Sequence, residues 1–191
     1  MNQPTRQTLL QKIRDAHDEK SWREFVEIYR PYIYVVMKNL GVKHDEIEDH
    51  FQSVLLICWQ KLPDFHYNSE KGGFRYWLSR IANYTVSNHL RKFSRRSELG
   101  DTLDIPHSIP AEIEEMSIRE WKIFLSKMAW ANIKGELSKN AILSFEGLMA
   151  GKKPADIAES LQIPVNSVNV NKKRIEKKMF KEIQNLQREL D

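Results

Sequence analysis

The sequence predicts an all-α protein: two small helical domains joined by an acidic linker, the C-terminal one a helix-turn-helix bundle. Three observations predict it. Every strongly periodic stretch repeats its apolar residues at helical spacing, and none alternates as a half-buried strand does. Charge is segmented: residues 1–93 hold 14 Lys/Arg against 11 Asp/Glu, residues 94–120 hold 3 against 7, and residues 121–191 hold 13 against 8. The last fifth of the chain has the proportions of a helix, a tight turn and a second helix.

Composition sets outer bounds. At 191 residues and 41% hydrophobic, the chain can bury one good core or two small ones. Seven Gly and seven Pro are too few for a fibrous or low-complexity protein. No apolar run approaches the roughly 20 residues of a membrane span, and the N-terminus has no signal-peptide core. The one cysteine, Cys58, falls on an apolar helix face and reads as a buried structural thiol in a reducing compartment. A soluble, cytoplasmic protein is expected. The net charge of +4 says little by itself, whereas two mildly basic blocks around an acidic connector suggest two modules on a tether.

The first helix is marked by Trp22, Phe25, Val26, Tyr29, Ile33, Val36, Met37 and Leu40, and Gly41 is a natural stop. Pro31 should kink or split it. Its aromatic residues, with Tyr32 and Tyr34, need only a core to explain them. Asp45 is placed to cap the second helix, with Glu46, Glu48 and Asp49 in the dipole-favoured first turn. Ile47, Phe51, Val54, Leu55, Cys58 and Leu62 form its buried stripe. Asp49, Gln52, Ser53, Leu56 and Trp59 lie elsewhere, and two large apolar groups among them imply that this face meets another element or a partner. Pro63 ends the helix, and the loop 64–73 (DFHYNSEKGG) follows.

The third helix, Phe74–Lys92, organises the chain. Phe74, Trp77, Leu78, Ile81, Ala82 and Thr85 share one arc and predict a core anchor. Tyr76, Arg80, Asn83, Ser87 and Arg91 share the opposite arc, with Tyr84 at its edge. That second arc offers hydrogen-bonding, cationic and aromatic groups with no acid among them, which suits nucleic acid; an ordinary solvated face would mix Glu with Lys. The stretch from Phe93 to Glu115 has two prolines, a glycine and surplus acids, so residues 94–117 read as linker. Periodicity resumes with Ile118, Trp121, Phe124, Leu125 and Met128. A helix from about Ser138 turns Ile142, Phe145 and Met149 inward and ends near Gly151.

The terminal motif sets a short helix (Pro154–Leu161), a turn (Gln162–Pro164) and a helix from about Val165. On the last, Val168, Ile175, Met179 and Ile183 point inward. Asn166, Ser167, Val170, Lys173, Arg174 and Lys177 point out together. Asn pairs with adenine and Arg with guanine in the major groove, and Lys suits phosphate, so this face reads as DNA-binding rather than merely solvated.

In this order, WREFVEIYRPYIY, DEIEDHFQSVLLICWQKLPDF and GGFRYWLSRIANYTVSNHLRK resemble domain 2 of the extracytoplasmic-function sigma factors, promoter-specificity subunits of bacterial RNA polymerase. SKNAILSFEGLMAGKKPADIAESLQIPVNSVNVNKKRIEKKM resembles their domain 4, and two of its runs, SKNAILSFEGLMAGK and SVNVNKKRIEKKM, look closest to planctomycete-type members. The resemblance implies domain 2 over residues 1–93, a linker over 94–117 and domain 4 over 118–191. It implies docking of Asp49, Gln52, Ser53, Leu56 and Trp59 on the β′ clamp helices. Phe65, His66, Tyr67 and Asn68 would belong to the loop that captures a flipped −10 base. Tyr76, Arg80, Asn83, Ser87 and Arg91 would read the −10 element, and the Asn166–Lys177 face the −35 element.

Further implied partners are the polymerase β flap and an anti-sigma factor, with no cofactor and no catalytic activity. His50 stands where the family usually has leucine and Ser53 where an acid is common; Gln162 replaces the turn glycine and Pro164 the Ser/Thr cap.

Two other readings are weaker. A helix-turn-helix regulator acting without the polymerase leaves residues 45–92 without a role. A metal-dependent nuclease built on HDEIEDH (His44–His50) could pair Asp45 with Asp49 or Glu46 with His50 on one helix face, but no second ligand cluster supports it, and the other histidines are scattered.

Overall fold

The computed structural model describes residues 10, 12–13, 19–66, 73–94 and 105–190, with backbone alone at 90–94. Among them every regular element is a helix: α1 (Glu19–Asn39), α2 (Ile47–Lys61), α3 (Gly73–Ser94), α4 (Ala111–Lys134), α5 (Lys139–Met149), α6 (Pro154–Leu161) and α7 (Val165–Leu190). The fold is all-α. Two compact units form, Met1–Phe124 with Glu189–Asp191, and Leu125–Arg188. None of these helices is long and apolar enough to cross a membrane.

In the first unit, α1 buries Phe25, Tyr29, Tyr32, Ile33, Val36 and Met37. It continues through Pro31 instead of splitting there. The pyrrolidine removes one amide donor, but Pro31 and Glu27, whose carbonyl loses that donor, are both exposed, so water can take the bond. The buried rows on either side hold the helix together. The predicted stop at Gly41 is a left-handed cap (φ 86°). Its amide reaches Lys38 O at 3.1 Å, and the amide of buried Val42 reaches Met37 O at 3.2 Å.

Asp45 does not cap α2. The helix begins at Ile47, and Glu46 at the cap position is already helical with no side-chain bond to the backbone. The acids of the first turn, Glu48 and Asp49, favour the helix start through its dipole instead of a side-chain cap. Cys58 is fully buried, and burial pushes its thiol well above the ordinary range. Along α3, Phe74, Leu78, Ile81, Ala82 and Thr85 are buried as predicted, while Trp77 is half-buried.

Two buried polar residues on α3, Arg75 and Ser79, were not singled out by periodicity. Arg75 Nη1 donates to Ser117 Oγ at 3.0 Å, and Ser79 Oγ donates to Arg75 O. The Tyr32 hydroxyl donates to Ser79 Oγ at 2.8 Å, with Ser117 O a second acceptor at 3.3 Å. The side chains of Tyr32, Arg75, Ser79 and Ser117 are thus paired, which removes most of the cost of burying them, whereas the buried indole nitrogen of Trp121 has no partner among the described residues.

This network explains why α4 starts at Ala111, inside the stretch that composition marks as linker. Pro110 O receives the amides of Ile113 and Glu114 at 3.0 Å, and the acids Glu112 and Glu114 sit in the first turn. Acidity taken as a sign of linker is partly the first turn of a helix. Trp121 and Phe124 of α4 belong to the aromatic core of the same unit, Trp121 meeting Tyr32 edge-on at 4.9 Å.

In the second unit, Ile133, Ala141 and Ile175 form one core cluster with Trp130, Leu137, Phe145 and Met179 around it. Ile157, Ala158 and Val168 form another with Leu148, Leu161 and Ile163. Ser138 caps α5 by accepting from Ala141 N. Met149, expected inward, is 73% exposed. The next helix closes over Leu148 instead, one position round. At Gly147 a Cβ would lie 3.0 Å from Ile157 Cδ1, so any larger residue there would make the Ile157 side chain shift.

Helix α6 begins and ends as the sequence predicts, and α7 begins at the predicted Val165. The turn residue Gln162 is left-handed (φ 53°, ψ 45°), and Ile163 N returns to Ala158 O at 3.0 Å. A non-glycine residue there stores about 1–2 kcal/mol of strain.

Candidate nucleic-acid interface

Four surfaces carry the predicted residues. On α3, Tyr76, Arg80, Asn83 and Ser87 are all half-buried along one side, aligned by the core contacts of Phe74, Leu78 and Ile81 opposite. Arg80 is engaged: its Nε donates to Pro106 O at 2.8 Å and its Nη2 to Ile105 O at 3.4 Å. The Arg91 side chain lies outside the described residues.

The loop before α3 is only partly described, and Tyr67 and Asn68 lie outside the described residues. Phe65 is buried against Phe74 (5.5 Å between centroids) and Trp77 (5.0 Å), so the core occupies its ring. His66 is exposed, with Nδ1 2.9 Å from Asp64 O.

On α2, Asp49, Gln52, Ser53, Leu56 and Trp59 all reach the surface. Leu56 is 59% exposed. Trp59 is partly covered by Trp22, edge-on at 4.9 Å. Ser53 Oγ donates to Asp49 O, a bond within the helix. Gln52 Nε2 donates to Glu48 Oε1 at 3.1 Å.

Glu48, which sequence reasoning placed only as a first-turn acid, is the centre of a cluster. Arg30 Nη2 lies 2.8 and 2.9 Å from its two oxygens, and the Tyr34 hydroxyl donates to it. The Tyr34 and Gln52 hydrogen bonds, then Arg30, hold the Glu48 carboxyl below the usual carboxylate range. Burial and the Glu48 contact push the Tyr34 phenol up. Arg30 also lies over the Phe51 ring at 4.8 Å. No sequence signal pairs Arg30 with Glu48; only the packing of α1 on α2 does so.

His50, in a position where a leucine was the alternative, is buried and meets the His89 ring edge-on at 4.5 Å. Burial lowers its pKa below 6.5, the nearby His89 lowers it further, and Glu46 and Asp49 pull the other way. The folded state therefore binds fewer protons here than the unfolded chain. Stability from this site is complete above the unfolded value near 6.5 and is lost as pH falls from there through the depressed folded value. The stability of wild type relative to His50→Leu is expected to fall in denaturant titrations taken from pH 8 to pH 5. A constant difference would contradict a buried, neutral imidazole.

On α7, Asn166, Val170, Lys173, Arg174 and Lys177 are exposed and Ser167 half-buried, on the side away from buried Val168 and Ile175. Asn171, not singled out in the sequence, ties the helix to α5 by donating to buried Ser144 Oγ at 3.3 Å. The acid Glu176 pairs with Lys172 at 3.7 Å, off the six-residue face. Among the described residues no three His, Cys, Asp or Glu side chains converge as metal ligands.

No curated protein sequence matches the chain. Among solved structures, it is similar to that of CnrH in complex with the cytosolic domain of CnrY: 16% identity, covering 93% of this chain and 96% of that one, TM-score 0.35. Residues 25–96, which run from Phe25 in α1 through α2 and α3, match the family model of sigma-70 region 2.

Proposed function

We propose that the chain is a sigma factor of the extracytoplasmic-function type, which binds core RNA polymerase and directs initiation at promoters with −10 and −35 elements. The observation that carries this reading is the sigma-70 region 2 match over residues 25–96, the segment that holds both the exposed Leu56/Trp59 face and the acid-free arc of α3. In this reading residues 1–93 grip the polymerase β′ clamp helices and open DNA, 94–117 form the connection, and 118–191, whose first residues up to Phe124 pack in the first unit, carry the −35 reader and meet the β flap.

No covalent chemistry is needed. Lys173 and Lys177 neutralise phosphate, and Asn166 and Arg174 contact base edges. Tyr76, Arg80, Asn83, Ser87 and Arg91 engage the −10 strand. With Phe65 held in the core, the base-capturing role falls to His66, Tyr67 and Asn68. Stacking contributes roughly 1–3 kcal/mol per base, comparable to the cost of unstacking one, so melting is nearly balanced and the polymerase interface supplies the remainder.

Run-off transcription with bacterial core polymerase on a promoter pool tests the reading. Specific transcripts dependent on the chain are expected; failure to bind core would favour a regulator that acts without it. Arg174→Ala should lower −35-dependent transcription roughly tenfold or more, the range of a lost base-edge contact, with polymerase binding unchanged. Loss of both together would count against the assignment of α7.

A further inference from the structure

The segment 105–110 lies between α3 and the start of α4, and it occupies Arg80. Two guanidinium nitrogens of Arg80 are bonded to consecutive backbone carbonyls, Pro106 O at 2.8 Å and Ile105 O at 3.4 Å. The Nε–Nη2 edge of the guanidinium is held by two carbonyl oxygens much as it would be by two phosphate oxygens, and that edge cannot grip a phosphate while the carbonyls occupy it. The segment is also anchored. Ile109 is 8% exposed, and the next residue, Pro110, supplies the carbonyl that opens α4. That helix is fixed in turn to α3 by the Arg75–Ser117 bond. The carbonyls are therefore presented to Arg80 by a short piece of chain tied at its C-terminal end.

We infer that residues 105–110 are an autoinhibitory strap, which withholds Arg80 from DNA in the free chain and must lift before α3 can engage a single strand. The inference rests on reading α3 as the −10 helix. A chain whose competent form is a minor population binds with its affinity reduced by that fraction, so loosening the strap should strengthen binding with no new contact made. The strap thus couples DNA engagement to whatever displaces it, and a partner that draws the connector away from α3 frees Arg80 in the same step.

The test uses the full chain without polymerase and a fluorescein-labelled, random-sequence single-stranded DNA pool, read by anisotropy. Ile109→Ala removes the apolar anchor and leaves Arg80 and both carbonyls in place. It is expected to bind roughly tenfold more tightly than wild type. Arg80→Ala is expected to bind more weakly than Ile109→Ala, and Ile109→Ala/Arg80→Ala to match Arg80→Ala.

If Arg80→Ala weakens binding and Ile109→Ala changes nothing, Arg80 is already free: the strap fails and the reading of α3 stands. If neither substitution has any effect, the reading of α3 fails and takes the strap with it. A gain in Ile109→Ala that survives in the double variant places the effect elsewhere and overturns the strap. Melting curves check that each variant folds. Pro106→Gly, which loosens the same segment at an exposed position, repeats the comparison if Ile109→Ala does not fold.

Discussion

Leu56→Arg is expected to weaken the complex with core polymerase about a hundredfold and to leave the melting temperature within about a degree of wild type. The reasoning starts from exposure. Leu56 is 59% exposed on α2, whose buried stripe (Phe51, Val54, Leu55, Cys58) holds the helix without it. Among the described residues nothing covers this large apolar side chain. On the proposed reading a docked clamp helix would, and full burial of a leucine contributes roughly 1.5–3 kcal/mol.

Arginine forfeits that gain and adds a charge that would have to be desolvated, so two unfavourable effects act together. A hundredfold corresponds to about 2.7 kcal/mol; burying the exposed part of Leu56 contributes about 1–2 kcal/mol of it, and the desolvated charge the remainder. Pull-down of core polymerase with matched melting curves measures both quantities. Binding at wild-type strength by folded Leu56→Arg would remove α2 from the polymerase interface. The neighbouring Trp59 is a poorer probe, because it packs on Trp22 and its loss would disturb the fold as well.

The parts of this molecule that could be read from the sequence are those written in local chemistry. Gly41 ends α1 because only a residue at ease with positive φ closes that cap; Ser138 and Pro154 mark helix starts for equally local reasons. The buried arc of α3 and the outward face of α7 follow from a 3.6-residue period. What could not be read depends on pairs far apart in the chain. Arg80 meets a carbonyl 26 residues away, and Glu48 meets an arginine 18 residues away.

Periodicity says which side of a helix faces inward but not which neighbour arrives there. Phe65 illustrates the same limit, since an aromatic residue in a polar loop reads as a free stacking platform until α3 is seen to cover it. Met149 is the converse case: it continues the apolar period of α5, but α6 closes over Leu148, one position round the helix.

Phe74→Ala should be the most damaging single change to the fold, at about 3–5 kcal/mol. Phe74 is fully buried and meets four rings: Phe25 at 6.0 Å, Tyr29 at 5.1 Å, Phe65 at 5.5 Å and Trp77 at 5.2 Å. Those partners come from α1, the loop and α3 itself, so the cavity left by truncation borders three segments. Rings tied into so many contacts cannot collapse into it, which puts the cost toward the upper end of the range.

Against a typical total stability of about 5–15 kcal/mol, such a loss lowers the melting temperature by roughly 10 °C and can leave the first unit unfolded at growth temperature. Phe180→Ala is the matched control: the same chemical change at a side chain 65% exposed, expected to cost under about 0.5 kcal/mol. Thermal melts of the two variants decide the matter. Equal, small shifts would mean that α3 is not anchored through Phe74. The arc carrying Arg80, Asn83 and Ser87 would then have no rigid support from which to hold a DNA strand.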